Sequence, residues 1–217
     1  MSAHDFSNLH SDKSVSIRQG QNKALFFFFK RIFDLLCCVL FLPILLLSGL
    51  VLLCLNPFFN KGKLIFVQTR MGQNCEPFQA YKFRTMSEEK EATRGSDGPL
   101  EADRITLLGS KLRKLRIDEL PQILNVWRGE MSMIGPRPDY FQYAAHYIES
   151  VPGYSDRHII RPGISGLAQT QVGYVQSIAG TKLKVSADLE YIQNLGFLQE
   201  IRIVWQTIVV ICMRAGT

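Results

Sequence analysis

Pairing signals for cysteine are missing from this chain. Its five cysteines, Cys37, Cys38, Cys54, Cys75 and Cys212, show no C-x-x-C spacing, and three of them lie inside an apolar run. The pattern argues against a disulfide framework and for a reducing compartment. Histidine is sparse as well: His4, His10, His146 and His158 are scattered, so no Cys/His metal cluster emerges. Charge is absent from Leu35 to Leu55, LLCCVLFLPILLLSGLVLLCL, a run of 21 residues. A bilayer-crossing helix needs about 20 apolar residues. The run begins too late and is too long for a cleaved signal peptide, and no small-residue cleavage site follows it, so it is expected to be retained. There is no internal repeat and no compact basic nucleic-acid motif. The formal net charge of +6 therefore points to a membrane surface or a phosphorylated substrate, not to nucleic acid.

What is present fits one domain with an appended membrane element in 217 residues. Residues 1–24 are polar and turn-rich and read as a poorly ordered arm. Residues 25–60 form the membrane segment, opened by LFFFF, which suits the headgroup layer. Residues 61–217 read as a cytosolic catalytic domain. Lys13, Arg18, Lys23, Lys30 and Arg31 precede the apolar run, and Lys61, Lys63 and Arg70 follow it. Basic flanks prefer the cytoplasmic side. A helix that enters, bends near Pro43 and returns would satisfy both flanks; a one-pass anchor that tolerates the proline is the alternative. Ser48 and Gly49 could accommodate the broken backbone, and Asp34 is spaced to pair with Lys30 or Arg31.

Beyond the membrane segment, KLIFVQTRMG and FQAYKFRTM read as two strands of a hairpin joined through GQNCEP. Ser87 to Asp103 is charged and without apolar periodicity, either a closing loop or a solvated insertion. A helix is expected over 107–117 with Leu108, Leu112 and Leu115 on one stripe. A second, about Pro121 to Arg128, is expected to bury Ile123, Leu124 and Trp127. GEMSMIGPRPD and IIRPGISGLAQ read as rigid Gly-Pro turns. Leu189, Ile192 and Leu195 mark an amphipathic helix, and IVWQTIVVICM, too short to cross a bilayer, either packs in the core or lies on the interface.

The stretch RIDELPQ holds adjacent carboxylates, Asp118 and Glu119, after the basic run KLRKLR. Acidic residues at a helix start and a proline in its first turn are ordinary punctuation. A reactive carboxylate among cations is the other reading. Lys82, Arg84, Arg113, Arg116 and Arg137 all sit where the local sequence restricts the backbone. If they converge, they would keep a carboxylate ionised and cradle a diphosphate. An ionised Asp can attack phosphorus to form an acyl phosphate, with a divalent ion, Mg²⁺, screening the repulsion.

The series KRIFD, KFRTM, DRITLLGSKLRKLRIDELPQILNVWRGEMSMIGPRP and RPGISGLAQ closely resembles the bacterial sugar transferase family, the monotopic phosphoglycosyl transferases, over residues 28–216. That resemblance implies an α/β, mostly helical monotopic membrane protein. Its parts are a re-entrant N-terminal helix, a compact catalytic domain with a small β-hairpin, and amphipathic interfacial helices at the cytoplasmic face of the bacterial inner membrane. It implies transfer of a sugar 1-phosphate from a UDP-sugar to polyprenyl (undecaprenyl) phosphate, with release of UMP, at the start of glycan assembly. Asp118 matches the nucleophile and metal-binding residue, and Glu119 its partner, supporting metal and proton handling. Lys82, Arg113 and Arg137 match phosphate-binding residues, with Arg84 a further candidate. The chain matches the short catalytic form. Where the family's kink is often Ser-Pro, here Leu42 precedes Pro43, which implies a shallower bend. The motifs do not distinguish the sugar or the oligomeric state. A nucleotide-sugar diphosphatase and a non-catalytic membrane scaffold are the competing functions.

Overall fold

The structure is a computed structural model that describes residues 21–60, 62–87, 104–173 and 177–214. Most of the N-terminal arm and nearly all of the Ser87–Asp103 loop lie outside those residues. The chain is mostly helical, with two small two-stranded sheets and one long apolar N-terminal helix.

Helix α1, Gln21–Phe59, takes up the whole apolar run and continues through both Pro43 and Pro57. Ser48 Oγ donates to the Leu45 carbonyl (3.0 Å), whereas the carbonyl that Pro43 leaves without its helical donor is that of Val39. The helix is long and apolar enough to cross a membrane, and only 17% of its most apolar window is buried, so it is not the core helix of a soluble protein. One stripe of α1 nevertheless packs on the domain along the length of the helix. Phe26, Lys30, Asp34, Cys38, Leu45, Leu52 and Asn56 are buried, at the three- and four-residue spacing of one helix face. The opposite face, including Leu36, Leu40, Leu47, Leu50 and Leu53, is exposed.

The expected hairpin forms. β1, Ile65–Met71, pairs antiparallel with β2, Pro77–Phe83, in the register Phe66 to Lys82 and Arg70 to Phe78. The connection closes with Gly72 N donating to the Glu76 carbonyl (2.7 Å), and Asn74 and Cys75 both take left-handed backbone angles. Helix α2, Leu107–Lys114, starts where Thr106 Oγ1 accepts from Gly109 N (2.9 Å), an N-cap that satisfies a free helical donor. Lys111, Arg113 and Lys114 in its last turn complement the helix dipole. Arg116, left-handed at φ 60°, ends it two residues before Asp118, and Leu115 falls off the buried stripe. A 3-10 turn, Ile117–Gln122, leads into α3, Ile123–Arg128, which stops at left-handed Gly129. α3 buries Ile123, Asn125 and Val126 and leaves Leu124 and Trp127 exposed. The expected burial of those two is thus corrected: six residues offer one narrow inner face, and Asn125 occupies part of it.

The two Gly-Pro segments are strands as much as turns. β3, Ser132–Ile134, pairs in parallel with β4, Gly163–Ser165. A Cβ on Gly135 would lie 2.6 Å from the Arg161 carbonyl, so glycine is needed for the two chains to pass this closely. α4, Phe141–Ser150, a 3-10 turn Ser155–His158, α5, Leu167–Gln171, and α6, Ile178–Gln193, complete the domain. α7, Phe197–Arg214, buries Ile203 but exposes Leu198, Ile201, Trp205 and Ile208. It therefore packs in the core on one face and presents apolar side chains on the other. The main core joins Cys38, Leu45 and Leu52 of α1 to Phe78, Ala80 and Phe83 of the hairpin and to Leu112, Ile123 and Val126. The membrane helix is a structural layer of the domain.

Candidate active site

Asp118 and Glu119 open the 3-10 turn that follows left-handed Arg116, and both are buried. Their surroundings differ sharply. Glu119 Oε1 accepts from Lys82 Nζ (2.9 Å) and from Arg137 Nη2, and Oε2 from Arg137 Nη1 (3.3 Å), with Arg116 Nη1 at 3.9 Å. Burial alone would push Glu119 up, but Arg137 and Lys82 hold it well below the usual carboxylate range. Asp118 has no such partners: its Oδ1 is buried without a hydrogen-bond donor. Burial and the neighbouring Glu119 raise its pKa, against the pull of Lys82, Arg113 and Arg137. The cations expected to keep the nucleophilic carboxylate ionised act first on its neighbour.

Each cation is held by the local fold. Lys82 comes from β2, and burial, opposed by Glu119, lowers it to about 8. Arg113 on α2 donates from Nε to Thr85 Oγ1 (2.8 Å). α2 reaches Thr85 because Gly109 lies against the Thr85 carbonyl, where a Cβ would overlap it. Arg137 lies between Pro136 and Pro138, and Glu119 keeps its guanidinium firmly protonated. Arg84 instead turns its Nε to the Lys63 carbonyl (2.7 Å). Lys82, Arg113, Arg137, Asp118 and Glu119 are brought together.

A second layer lies behind Arg137. Arg157, fully buried, donates from Nη2 to the Arg137 carbonyl (2.8 Å), from Nη1 to Asp139 Oδ2 (2.6 Å) and from Nε to Asp188 Oδ2 (2.9 Å). Lys184 Nζ and the Tyr154 hydroxyl also donate to Asp139, at 2.6 and 2.7 Å. Burial opposes the charge on Asp139, but Lys184 and Arg157 keep it ionised. Arg70 Nη1 reaches the Pro138 carbonyl (2.5 Å). Sequence reasoning missed Arg157, Lys184, Asp188 and Tyr154. Asp139 stood inside the quoted GPRPD motif, but the others carry little local signal, since Asp139, to which three of them are joined, lies 15 to 45 residues away.

For a divalent ion, Asp118 is the residue that fits. Its buried Oδ1 lacks a donor, whereas both oxygens of Glu119 already face cations. Among the described residues no group of three or more His, Cys, Asp or Glu could hold a metal. A single carboxylate completed by substrate phosphates and water is a common way to hold Mg²⁺.

A domain packed on a long apolar helix holds a buried carboxylate pair of which one member is saturated by cations and the other lacks a donor, an arrangement whose cations could receive phosphate groups. The chain belongs to the bacterial sugar transferase family, whose pattern matches residues 25–214. It is 40% identical over 207 residues to the UDP-N-acetylgalactosamine-undecaprenyl-phosphate N-acetylgalactosaminephosphotransferase of Aeromonas hydrophila, covering 93% of this chain and 47% of that protein. The chain thus spans about half the length of that relative. It is 37% identical over 185 residues to the UDP-glucose:undecaprenyl-phosphate glucose-1-phosphate transferase of Caulobacter vibrioides, covering 82% of this chain and 68% of the relative. An exopolysaccharide production protein of Rhizobium leguminosarum is 37% identical over 186 residues, 83% of this chain and 93% of its own.

Proposed function

We propose that this protein transfers a sugar 1-phosphate from a UDP-sugar to polyprenyl phosphate, releases UMP, and so starts assembly of a bacterial glycan. The observation that carries the reading is the unequal carboxylate pair: Glu119 is saturated by Lys82 and Arg137, while Asp118 Oδ1 has no hydrogen-bond donor. An Asp118 oxygen attacks the sugar-bearing phosphorus. The bond from that phosphorus to the bridging oxygen breaks, UMP leaves, and an aspartyl-phosphosugar forms. A phosphate oxygen of the polyprenyl phosphate then attacks the same phosphorus. The acyl–phosphorus bond breaks, the Asp118 carboxylate is restored, and a diphosphate-linked lipid results. Arg137 and Lys82, oriented by Glu119, and Arg113, oriented by Thr85, bind the phosphate oxygens and stabilise the charge that gathers there. The raised pKa of Asp118 makes it a better nucleophile once ionised. Mg²⁺ bound through Asp118 and the diphosphate would neutralise the repulsion between them.

The same reading places the domain at the cytoplasmic face of the inner membrane with both ends of α1 on one side, and the contacts of α1 support the one-sided part of it. The domain touches α1 near Lys30, where Lys30 Nζ pairs with Glu200 Oε2 (2.5 Å), and at its far end, where Asn60 Nδ2 donates to the Arg84 carbonyl (2.7 Å). Those contacts are about 45 Å apart along a helix rising 1.5 Å per residue, and one body cannot lie on both sides of a bilayer. These contacts favour a helix held within one leaflet, with the exposed apolar face of α7 beside it. This placement brings a lipid-borne phosphate and a soluble donor to the same depth.

The direct test is Asp118→Asn. It should abolish UMP release from a panel of UDP-sugars with undecaprenyl phosphate present and leave membrane association intact. Retained turnover would remove the covalent route. Turnover by the unmodified protein without lipid acceptor would point to a diphosphatase.

A further inference from the structure

The charged residues at the start of α1 were expected to pair with one another at the membrane surface. Their hydrogen bonds go instead to the domain. Lys30 is bonded to Glu200 of α7. Arg31 donates to the carbonyls of Val126 (2.6 Å) and Trp127 (2.9 Å) at the end of α3. Asp34, 1% exposed, accepts at Oδ1 from Ser132 Oγ (3.0 Å) and from Met133 N (2.9 Å). A buried carboxylate in a membrane helix is costly without such partners, and both of these belong to β3.

We propose that Asp34 is a positioning residue for Arg137: the membrane helix, besides anchoring the protein, sets the strand that presents the phosphate-binding guanidinium. Ser132 and Ile134 pair with β4, so the Met133 N–H points to the opposite edge of β3, where Asp34 takes it. β3 is thus gripped on both edges. The grip passes from Met133 to Arg137 through three residues, Ile134, Gly135 and Pro136, with little torsional freedom. Gly135 N donates to the Ser165 carbonyl (2.8 Å), and Gly163 N donates to the Pro136 carbonyl (2.9 Å). Prolines fix the backbone on either side of Arg137. Arg137 in turn holds Glu119 beside Asp118. A small slip of β3 would move the guanidinium, and displacements of about 1 Å in a catalytic array can cost roughly 10²-fold in rate.

This inference rests on the phosphoryl-transfer reading above, and its test separates the two. The first half-reaction uses only the soluble donor, so a residue that merely anchors the protein leaves it unchanged. The full-length protein, reconstituted in phospholipid vesicles free of polyprenyl phosphate, is given the UDP-sugar that supports UMP release, and the first-turnover rate is measured alongside vesicle flotation. Asp34→Ala should lower that rate about tenfold or more while floating like the unmodified protein. Asp34→Asn, which keeps an acceptor oxygen, should recover most of the loss. In an Arg137→Ala background, Asp34→Ala should cost little further, because both changes remove the same interaction. Ser132→Ala, which deletes one of the two donors, gives a milder loss with the same non-additivity and serves if Asp34→Ala does not fold. An Asp34→Ala rate equal to that of the unmodified protein would overturn the inference, as would a full further loss on top of Arg137→Ala. Absence of UMP release from the unmodified protein with every UDP-sugar would overturn the parent reading, and this one with it.

Discussion

Two neighbouring carboxylates with opposite pKa shifts are the centre of the residue-scale account. Glu119 gathers the cations, and Asp118 is left more basic than an ordinary aspartate. Lys82 supplies a pH test. Burial lowers it to about 8, so it carries its charge below that pH and loses it above, and with it the attraction for phosphate. kcat/KM for the UDP-sugar, which reports the free enzyme, should therefore fall as pH rises through about 8. Lys82→Arg should shift that limb to higher pH, because guanidinium does not deprotonate in this range. A pH profile with the same alkaline limb in both proteins would show that another group controls it. The motifs identified Asp118, Glu119, Lys82, Arg113 and Arg137 because residue type and short spacing carry that information. They did not reveal that Glu119 takes the cations first, since that depends on side-chain directions in three separate elements.

At the scale of elements, close approach and buried pairing hold the site. Gly109 allows α2 to rest on the Thr85 carbonyl, and Arg113 thereby reaches Thr85 Oγ1. Gly109→Ala should cost about 1–3 kcal/mol from overpacking and weaken donor binding. Denaturant unfolding and the KM for the UDP-sugar check the two effects. Arg157 is the larger case. Its removal leaves the buried carboxylate of Asp188 and the part-buried one of Asp139 short of a partner, so Arg157→Leu should destabilise the protein by about 3–5 kcal/mol, read from the shift of the unfolding midpoint. The hairpin was legible from two alternating runs and a turn between them. The β3–β4 pair was not: three-residue strands are too short to show alternation, and Gly and Pro make such segments look like turns. Arg157 and Asp34 were illegible as site supports because the contacts that tie them to the site cross 18 residues or more.

For the whole molecule, the apolar helix is both anchor and core layer. The basic flanks signalled that both ends prefer the same side, but the stripe that packs on the domain is hidden in a sequence apolar all round. With both ends on the cytoplasmic side, cysteines introduced by Ala24→Cys and Lys63→Cys, in a chain with Cys54 and Cys212 changed to Ser, should both react with an impermeant maleimide in inverted inner-membrane vesicles. Neither should react in intact spheroplasts. Opposite labelling of the two positions would show a helix that crosses the bilayer.

The most direct measurement is the mass of the enzyme itself. Incubated with its UDP-sugar and Mg²⁺ in the absence of polyprenyl phosphate, then quenched and digested, the protein should yield a peptide containing Asp118 that is heavier by one phosphosugar. The adduct should disappear on addition of the lipid acceptor. A peptide of unmodified mass while UMP is being released, or an adduct on any other residue, would contradict the account.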